Sequence, residues 1–307
     1  MNFGPKGKKY KILGPTLVGL FLFCFLVFYS LHLSLPTSED PVRFYSSEKR
    51  DDLRRLLVHQ IKKAKRSILL RTYALTDASL VHTLKEKGKE GIEIALFYDR
   101  KASPDWTELE DEYVHFHPVK GKGLIHEKIW IFDEETLFLG SANLTPSSLR
   151  MHDNMMVGLF APELAKALYK TRPEKLEGTI GTWSYKYFSL PSQEALQAVI
   201  DTLQQARDAV SLSLFTFTHP DIAETLKELH KNGVKISLTL DQTTARGASL
   251  KVKDQLASEG IHVNVSQGLN LYHYKWGVVD NATHIIGSAN WTKGAFQKNH
   301  DFILILY

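Results

Sequence analysis

The chain carries one pattern twice. His126-Glu-Lys128-Ile-Trp-Ile-Phe-Asp133 and His273-Tyr-Lys275-Trp-Gly-Val-Val-Asp280 both read H-x-K-x4-D. Seven residues after each Asp stands Gly-Ser-Ala-Asn, at 140–143 and 287–290. A single such string could arise by chance in a lysine-rich chain. Two, with the same tetrapeptide at the same distance, mark an internal duplication. Residues 67–76 match 209–218, Gly91 matches Gly233 and Asp99 matches Asp241, all at a spacing of 142. Past the motif the spacing is 147, because the loop ahead of His126 is five residues shorter than the one ahead of His273. A period of this size is a whole domain rather than a solenoid unit.

Each copy alternates helical and strand patterns. Stretches 53–64 and 196–206 have helical spacing, with Leu53, Leu56, Leu57 and Ile61 on one face of the first. Stretches 68–75 and 210–217 read as strands, and 80–89 and 222–231 as helices that end near Gly91 and Gly233. Strands 92–98 and 234–240 follow, then 113–118 and 261–265, the motif strands, and closing strands at 155–160 and 302–306. The expected fold class is α/β, with strands parallel in the first half of each copy and antiparallel at the end. The expected divisions are a first lobe at 42–161, a surface linker with a helical start at 162–183, and a second lobe at 184–307.

Ahead of the lobes a basic tail, 1–11, holds Lys6, Lys8, Lys9 and Lys11, and an apolar segment, 12–35, follows it. That segment is long enough to cross a bilayer as a helix. A single-pass anchor with a cytoplasmic N-terminus is expected from the positive-inside rule, which puts the body outside the cytoplasm. A basic region before an apolar core also describes a cleavable signal, whose removal would give a secreted body. The lone Cys24 excludes an intramolecular disulfide and a thiolate zinc site. A net charge of +4 is compatible with anionic partners, either phospholipid surfaces or nucleic acid.

In a strand, His126 and Lys128 point the same way about 7 Å apart, and so do His273 and Lys275. Asp133 and Asp280 lie an odd number of positions beyond the lysines, so they are read as bracing the following turn. Ser141 and Asn143 share a parity, as do Ser288 and Asn290, and Gly140 and Gly287 permit close backbone approach. Imidazole, ammonium and carboxamide groups doubled about a pseudo-twofold suit a tetrahedral anion. The lysines neutralise its oxygens and the asparagines donate to them. Phosphoryl transfer needs that placement, an in-line nucleophile and an acid for the leaving oxygen. Two histidines can divide those tasks when one is neutral and the other protonated. No carboxylate cluster suited to Mg²⁺ or Ca²⁺ accompanies either motif, so metal-independent chemistry without a cofactor is expected. Asp153 and Asp301, each following a histidine ahead of the last strand, are the acids expected to hold the imidazoles.

The paired H-x-K-x4-D motifs with G-S-x-N resemble the phospholipase D superfamily, and the resemblance runs from about residue 42 to residue 307. It implies two tandem lobes, each a mixed β-sheet flanked by helices, with the active site at their pseudo-twofold interface. It also implies a covalent phosphohistidine, with His126 as nucleophile and His273 as general acid, then base. Lys128, Lys275, Asn143, Asn290, Ser141 and Ser288 match the phosphate-binding positions. The first copy departs from the family's N-x-E pattern, reading Met151-His-Asp153 against Asn299-His-Asp301.

The resemblance leaves three substrate readings: a phospholipid headgroup hydrolase, a nuclease, and a phosphatidyl transferase resembling cardiolipin synthase. The apolar segment favours a lipid substrate. Lys120, Lys122, Arg246 and Lys251 could form part of a basic groove for nucleic acid. Tyr272, Tyr274 and Trp276 around the second motif are expected to pack rather than line a groove. A monomer with two pseudo-symmetric lobes is expected.

Overall fold

The computed structural model describes residues 19–21, 33–120 and 123–307. Most of the apolar segment, the lysines of the tail, Cys24 and Lys122 lie outside the described residues. Among the described residues no helix is long and apolar enough to cross a membrane.

The body begins with strand β1 (Val42–Ser46) and helix α1 (Leu53–Lys63). Asp52 caps α1 by accepting from the Arg55 N–H, and Leu53, Leu56, Leu57 and Ile61 give it one buried face. Next come β2 (Ser67–Thr72), α2 (Ala78–Gly88), β3 (Glu93–Asp99) and β4 (Val114–Val119). Gly91, at φ 82°, supplies the left-handed turn from α2 into β3, and Gly233 repeats it at φ 90° in the second copy. Then follow β5 (Lys128–Phe132), β6 (Thr136–Gly140), the short α3 (Pro146–Arg150), β7 (Met155–Phe160) and α4 (Pro162–Lys170). The seven strands form one sheet in the order β1-β7-β6-β5-β2-β3-β4. β2, β3 and β4 run parallel, whereas β5, β6, β7 and β1 add antiparallel.

The second copy repeats this plan. It contains β8 (Lys175–Ile180), β9 (Trp183–Ser189), α5 (Gln193–Gln204), β10 (Ala209–Leu214), α6 (Pro220–Lys231) and β11 (Lys235–Leu240). Helices α7 (Gln242–Ala245) and α8 (Leu250–Ser258), strands β12 (Val263–Val265), β13 (Lys275–Val279) and β14 (Thr283–Gly287), helix α9 (Lys293–Gln297) and β15 (Phe302–Leu306) complete it. Its eight strands are ordered β12-β11-β10-β13-β14-β15-β9-β8. The stretch read as a surface linker, 162–183, is built into the fold. Leu164, Ala165 and Leu168 of α4 join a core, and β8 pairs antiparallel with β9 at a sheet edge.

The two sheets share one core. Period-two alternation sends Leu69, Ile129, Ile131, Leu137, Leu139 and Val157 of the first sheet against Tyr187, Ile286, Phe302, Leu304 and Leu306 of the second. The alternate positions face the helices. In β15, Ile303 and Ile305 bury against Val199, Leu203 and Leu226 of α5 and α6. The molecule is therefore two helix-backed sheets packed face to face. The C-terminal ends of β2, β3, β10 and β11 and the starts of β5 and β13 lie at the same end, because β5 and β13 run antiparallel to β2 and β10.

Candidate active site

Both motif histidines lie just before their strands, at that shared end. His126 donates its backbone N–H to the His300 carbonyl at 2.7 Å, and His273 donates to the Asp153 carbonyl at 2.8 Å. Each lobe thus locks the other's motif in place. The bridges Ile125↔His300 and Asp153↔Tyr272 make the same exchange.

The side chains are exchanged as well. His126 Nδ1 sits 2.8 Å from Asp301 Oδ1, and His273 Nδ1 sits 3.1 Å from Asn154 Oδ1. Asn154 Nδ2 donates to the Ser148 carbonyl at 2.9 Å, which aims its oxygen at His273. That oxygen also accepts from Ser141 Oγ at 2.9 Å, while Ser288 Oγ donates to Asp301 Oδ1 at 2.6 Å. The serines in turn accept the backbone N–H groups of Met155 and Phe302, each at 3.1 Å.

Two expectations are corrected here. Asp153 is not the partner of an imidazole: its main chain holds His273 and Leu271, and the position equivalent to Asp301 is Asn154. Ser141 and Ser288 are fully buried, with their hydroxyls committed to Asn154 and Asp301, so they orient the imidazoles' partners instead of facing a phosphate.

Lys128 and Lys275 are almost wholly buried and donate Nζ to the carbonyls of His126 and His273, at 2.6 and 2.8 Å. Tyr73 stands 5.2 Å from the His126 ring and 5.4 Å from Lys128 Nζ. Phe215 repeats this at 4.9 Å from His273 and 5.0 Å from Lys275 Nζ. The Oδ1 atoms of Asn143 and Asn290 are buried without a partner among the described residues, a pair of spare polar groups beside the motifs.

Burial pushes the Lys128 ammonium down to about 7, against the pull of Asp301 and Glu127. Burial and the Lys128 charge push Lys275 well below its ordinary value. His126 is lowered by burial and Lys128, opposed by Asp301. His273 lies well below the usual imidazole range, through burial and then Lys275, Lys128 and His126. Burial would raise Asp301, yet the His126 and Lys128 charges and the hydrogen bonds from His126 and Ser288 hold it low. Burial and mutual repulsion thus disfavour the charged forms of both lysines and both histidines, while Asp301 stays ionised among them.

The motif aspartates lie at the opposite end. Asp133 accepts the N–H groups of Lys65, Arg66 and Ser67, and Asp280 accepts those of Arg207, Asp208 and Ala209. Each aspartate sits at positive φ, 57° and 49°, and clasps its hairpin turn to the loop ahead of the central strand. A Cβ at Gly140 would run into the Met155 carbonyl, and one at Gly287 into that of Phe302, so the glycines let neighbouring strands close up. Tyr274 is buried with its OH accepting from the Glu48 N–H, while Trp276 stacks at 6.4 Å on Phe44 and at 6.0 Å on His284.

Both copies match one family model. It is described as "Cardiolipin synthase, PLD-like domain", and it covers residues 57–171 and 199–307. The chain belongs to the phospholipase D superfamily. Among its relatives in that superfamily is the mitochondrial cardiolipin hydrolase of Mus musculus, 33% identical over 121 residues, or 38% of this chain and 53% of the relative. Cardiolipin synthase 1 of Staphylococcus epidermidis is 29% identical over 129 residues, covering 38% of this chain and 26% of the relative. The chain spans about half the length of the mouse hydrolase. Phosphatidylserine synthase of Haemophilus influenzae shares the fold at a TM-score of 0.72 and 15% identity, over 89% of this chain and 83% of that one. The domain match supports an enzyme of phosphodiesterase type.

Three residues at the site escaped sequence reading: Asn154, Tyr73 and Phe215. The spacing of 147 that relates Ser141 to Ser288 also relates Asn154 to Asp301, and would have identified the first.

Proposed function

We propose that the chain hydrolyses the headgroup phosphodiester of a phospholipid through a phosphohistidine, without a metal. The observation that carries this reading is the pair of buried imidazoles held by unlike partners from opposite lobes, Asp301 for His126 and Asn154 for His273. With Nδ1–H donated to Asp301, His126 keeps a lone pair on Nε2, and the carboxylate stabilises the positive ring that forms on attack. The neutral amide of Asn154 gives His273 no such support, so its imidazolium is the stronger acid.

The steps then balance. Nε2 of His126 bonds to phosphorus as the bond to the departing alcohol breaks, and Nε2 of His273 protonates that alcohol's oxygen. Water enters, His273 takes its proton, and attack on phosphorus releases His126 and the phosphatidate. Lys128, Lys275, Asn143 and Asn290 bind the non-bridging oxygens. Names among the relatives, cardiolipin hydrolase and cardiolipin synthase, make cardiolipin the first lipid to try. The synthase keeps transfer to an alcohol as the second reading, in which an alcohol takes the place of water in the last step.

The test is a side-by-side assay in EDTA on cardiolipin, phosphatidylcholine and single-stranded DNA. Phosphatidate release from a lipid is expected, and it should fall by at least about a thousandfold in His126→Ala and in His273→Ala. Full activity in both variants would sink the catalytic assignment, and cleavage of DNA alone would replace the lipid reading. Added glycerol or phosphatidylglycerol separates transfer from hydrolysis by its product.

A further inference from the structure

The loops around the histidines carry side chains that catalysis does not use. Residues 123–125 and 150–153 of the first lobe and 266–272 and 297–300 of the second meet at the catalytic end, joined by the bridges at Ile125 and Asp153. Their crests hold exposed aliphatic residues. Leu269 is wholly exposed at 102% relative accessibility, Met151 stands at 59% and Leu124 at 40%. Leu269 follows Gly268, whose φ of 97° turns the chain at the loop tip. Leu124 lies two residues before His126, and Leu269 four before His273.

Each lobe also sets basic groups beside these side chains. Lys120 and Lys298 line one small cavity with Gly123 and Leu124. The acidic member of that cavity, Asp99, is buried and spends its carboxylate on the backbone N–H groups of Lys101 and Ile125. Arg150 immediately precedes Met151 and is exposed.

We propose that this rim is a docking face for an anionic bilayer, with Leu124, Met151 and Leu269 entering the acyl boundary and Lys120, Lys298 and Arg150 meeting the headgroups. Aliphatic crests next to cations are the composition that interfacial binding uses. A nucleic-acid surface would want aromatic platforms along a basic track, and the crest residues here are leucines and a methionine. The proposal rests on the lipid reading above, in which a substrate with acyl chains reaches the buried histidines from a bilayer.

The test uses residues 36–307, a compact unit holding both sheets and their cores. Vesicles of phosphatidylcholine, with and without cardiolipin, are floated with this body. The wild type should float with the cardiolipin vesicles. The triple variant Leu124→Ser, Met151→Ser, Leu269→Ser should lose at least about tenfold in vesicle partition. Lys120→Glu with Lys298→Glu should abolish the preference for anionic vesicles. On a soluble aryl phosphodiester both variants should retain the wild-type rate, which also reports that they are folded. His126→Ala should float like the wild type, so a failure of catalysis and a failure of docking are told apart. Equal flotation of the triple variant and the wild type would overturn the proposal. So would absence of flotation in the wild type, or capture of single-stranded DNA in place of vesicles.

Discussion

Asn154 and Asp301 differ by one functional group, and in the proposed mechanism that difference divides the labour of the two histidines. Replacing Asn154 with Asp would give His273 a carboxylate partner, favour its imidazolium and raise its pKa. The alkaline limb of the kcat/KM profile should then move up by about one pH unit or more, with a lower plateau because the acid is weaker. An unmoved limb would mean that His273 is not the acid. The lowered pKa values of the buried cationic groups make a second prediction. Burial pushes Lys128 down to about 7, and burial with the Lys275 and Lys128 charges lowers His273 well below the usual imidazole range. A bound anion reverses that repulsion and raises both pKa values, so binding inorganic phosphate at neutral pH should take up protons. Calorimetry in buffers of different ionisation enthalpy measures the uptake; no proton exchange would contradict the charge balance drawn here. The histidines, lysines and asparagines were legible because their spacing repeats. Asn154 was not, because the eye follows acids and His152-Asp153 offers one in a neighbouring register.

At the scale of elements, the duplication made the alternation of helices and strands readable twice. The caps confirm it locally, with Asp52 on α1 and Asp77 on α2. Strand β8 escaped because Lys-Leu-Glu-Gly-Thr-Ile has only its last residue buried, as an edge strand can. Parity along the strand set the motif aspartates apart from the histidines and lysines, and in the structure each accepts backbone N–H groups of the loop ahead of the central strand. Each collects three backbone N–H groups, so Asp133→Ala or Asp280→Ala should cost about 2–4 kcal/mol of stability. Urea titration measures this, and the residual activity of the folded fraction should be unchanged. A loss of kcat at full stability would instead assign these residues to the chemistry.

Over the whole molecule, the histidine pairs His126–Asp301 and His273–Asn154 cross between lobes that share a single core, so neither lobe alone holds both members of a pair. Sequence spacing gives no sign of this exchange, because the contacts join residues more than a hundred positions apart. Arg172, on the connection between lobes, ties them behind the histidines. Its Nε meets the buried Glu127 of the first motif at 2.6 Å, and its Nη2 reaches the carbonyls of Leu190 and Asp301. Arg172→Ala leaves Glu127 buried and unpaired, at a cost of about 3 kcal/mol, and should lower kcat by loosening Asp301. Arg172→Lys keeps the charge without the fork and should fall between. Equal stability of all three proteins by urea titration would remove this role. The point of chain entry has a further consequence. Pro36, Thr37 and Ser38 pack beside Asp133 and Glu135, and β1 runs from there toward the histidines. The first residues of the body therefore lie at the end away from the histidines: coupled to a support through Pro36, the body would turn its working face outward.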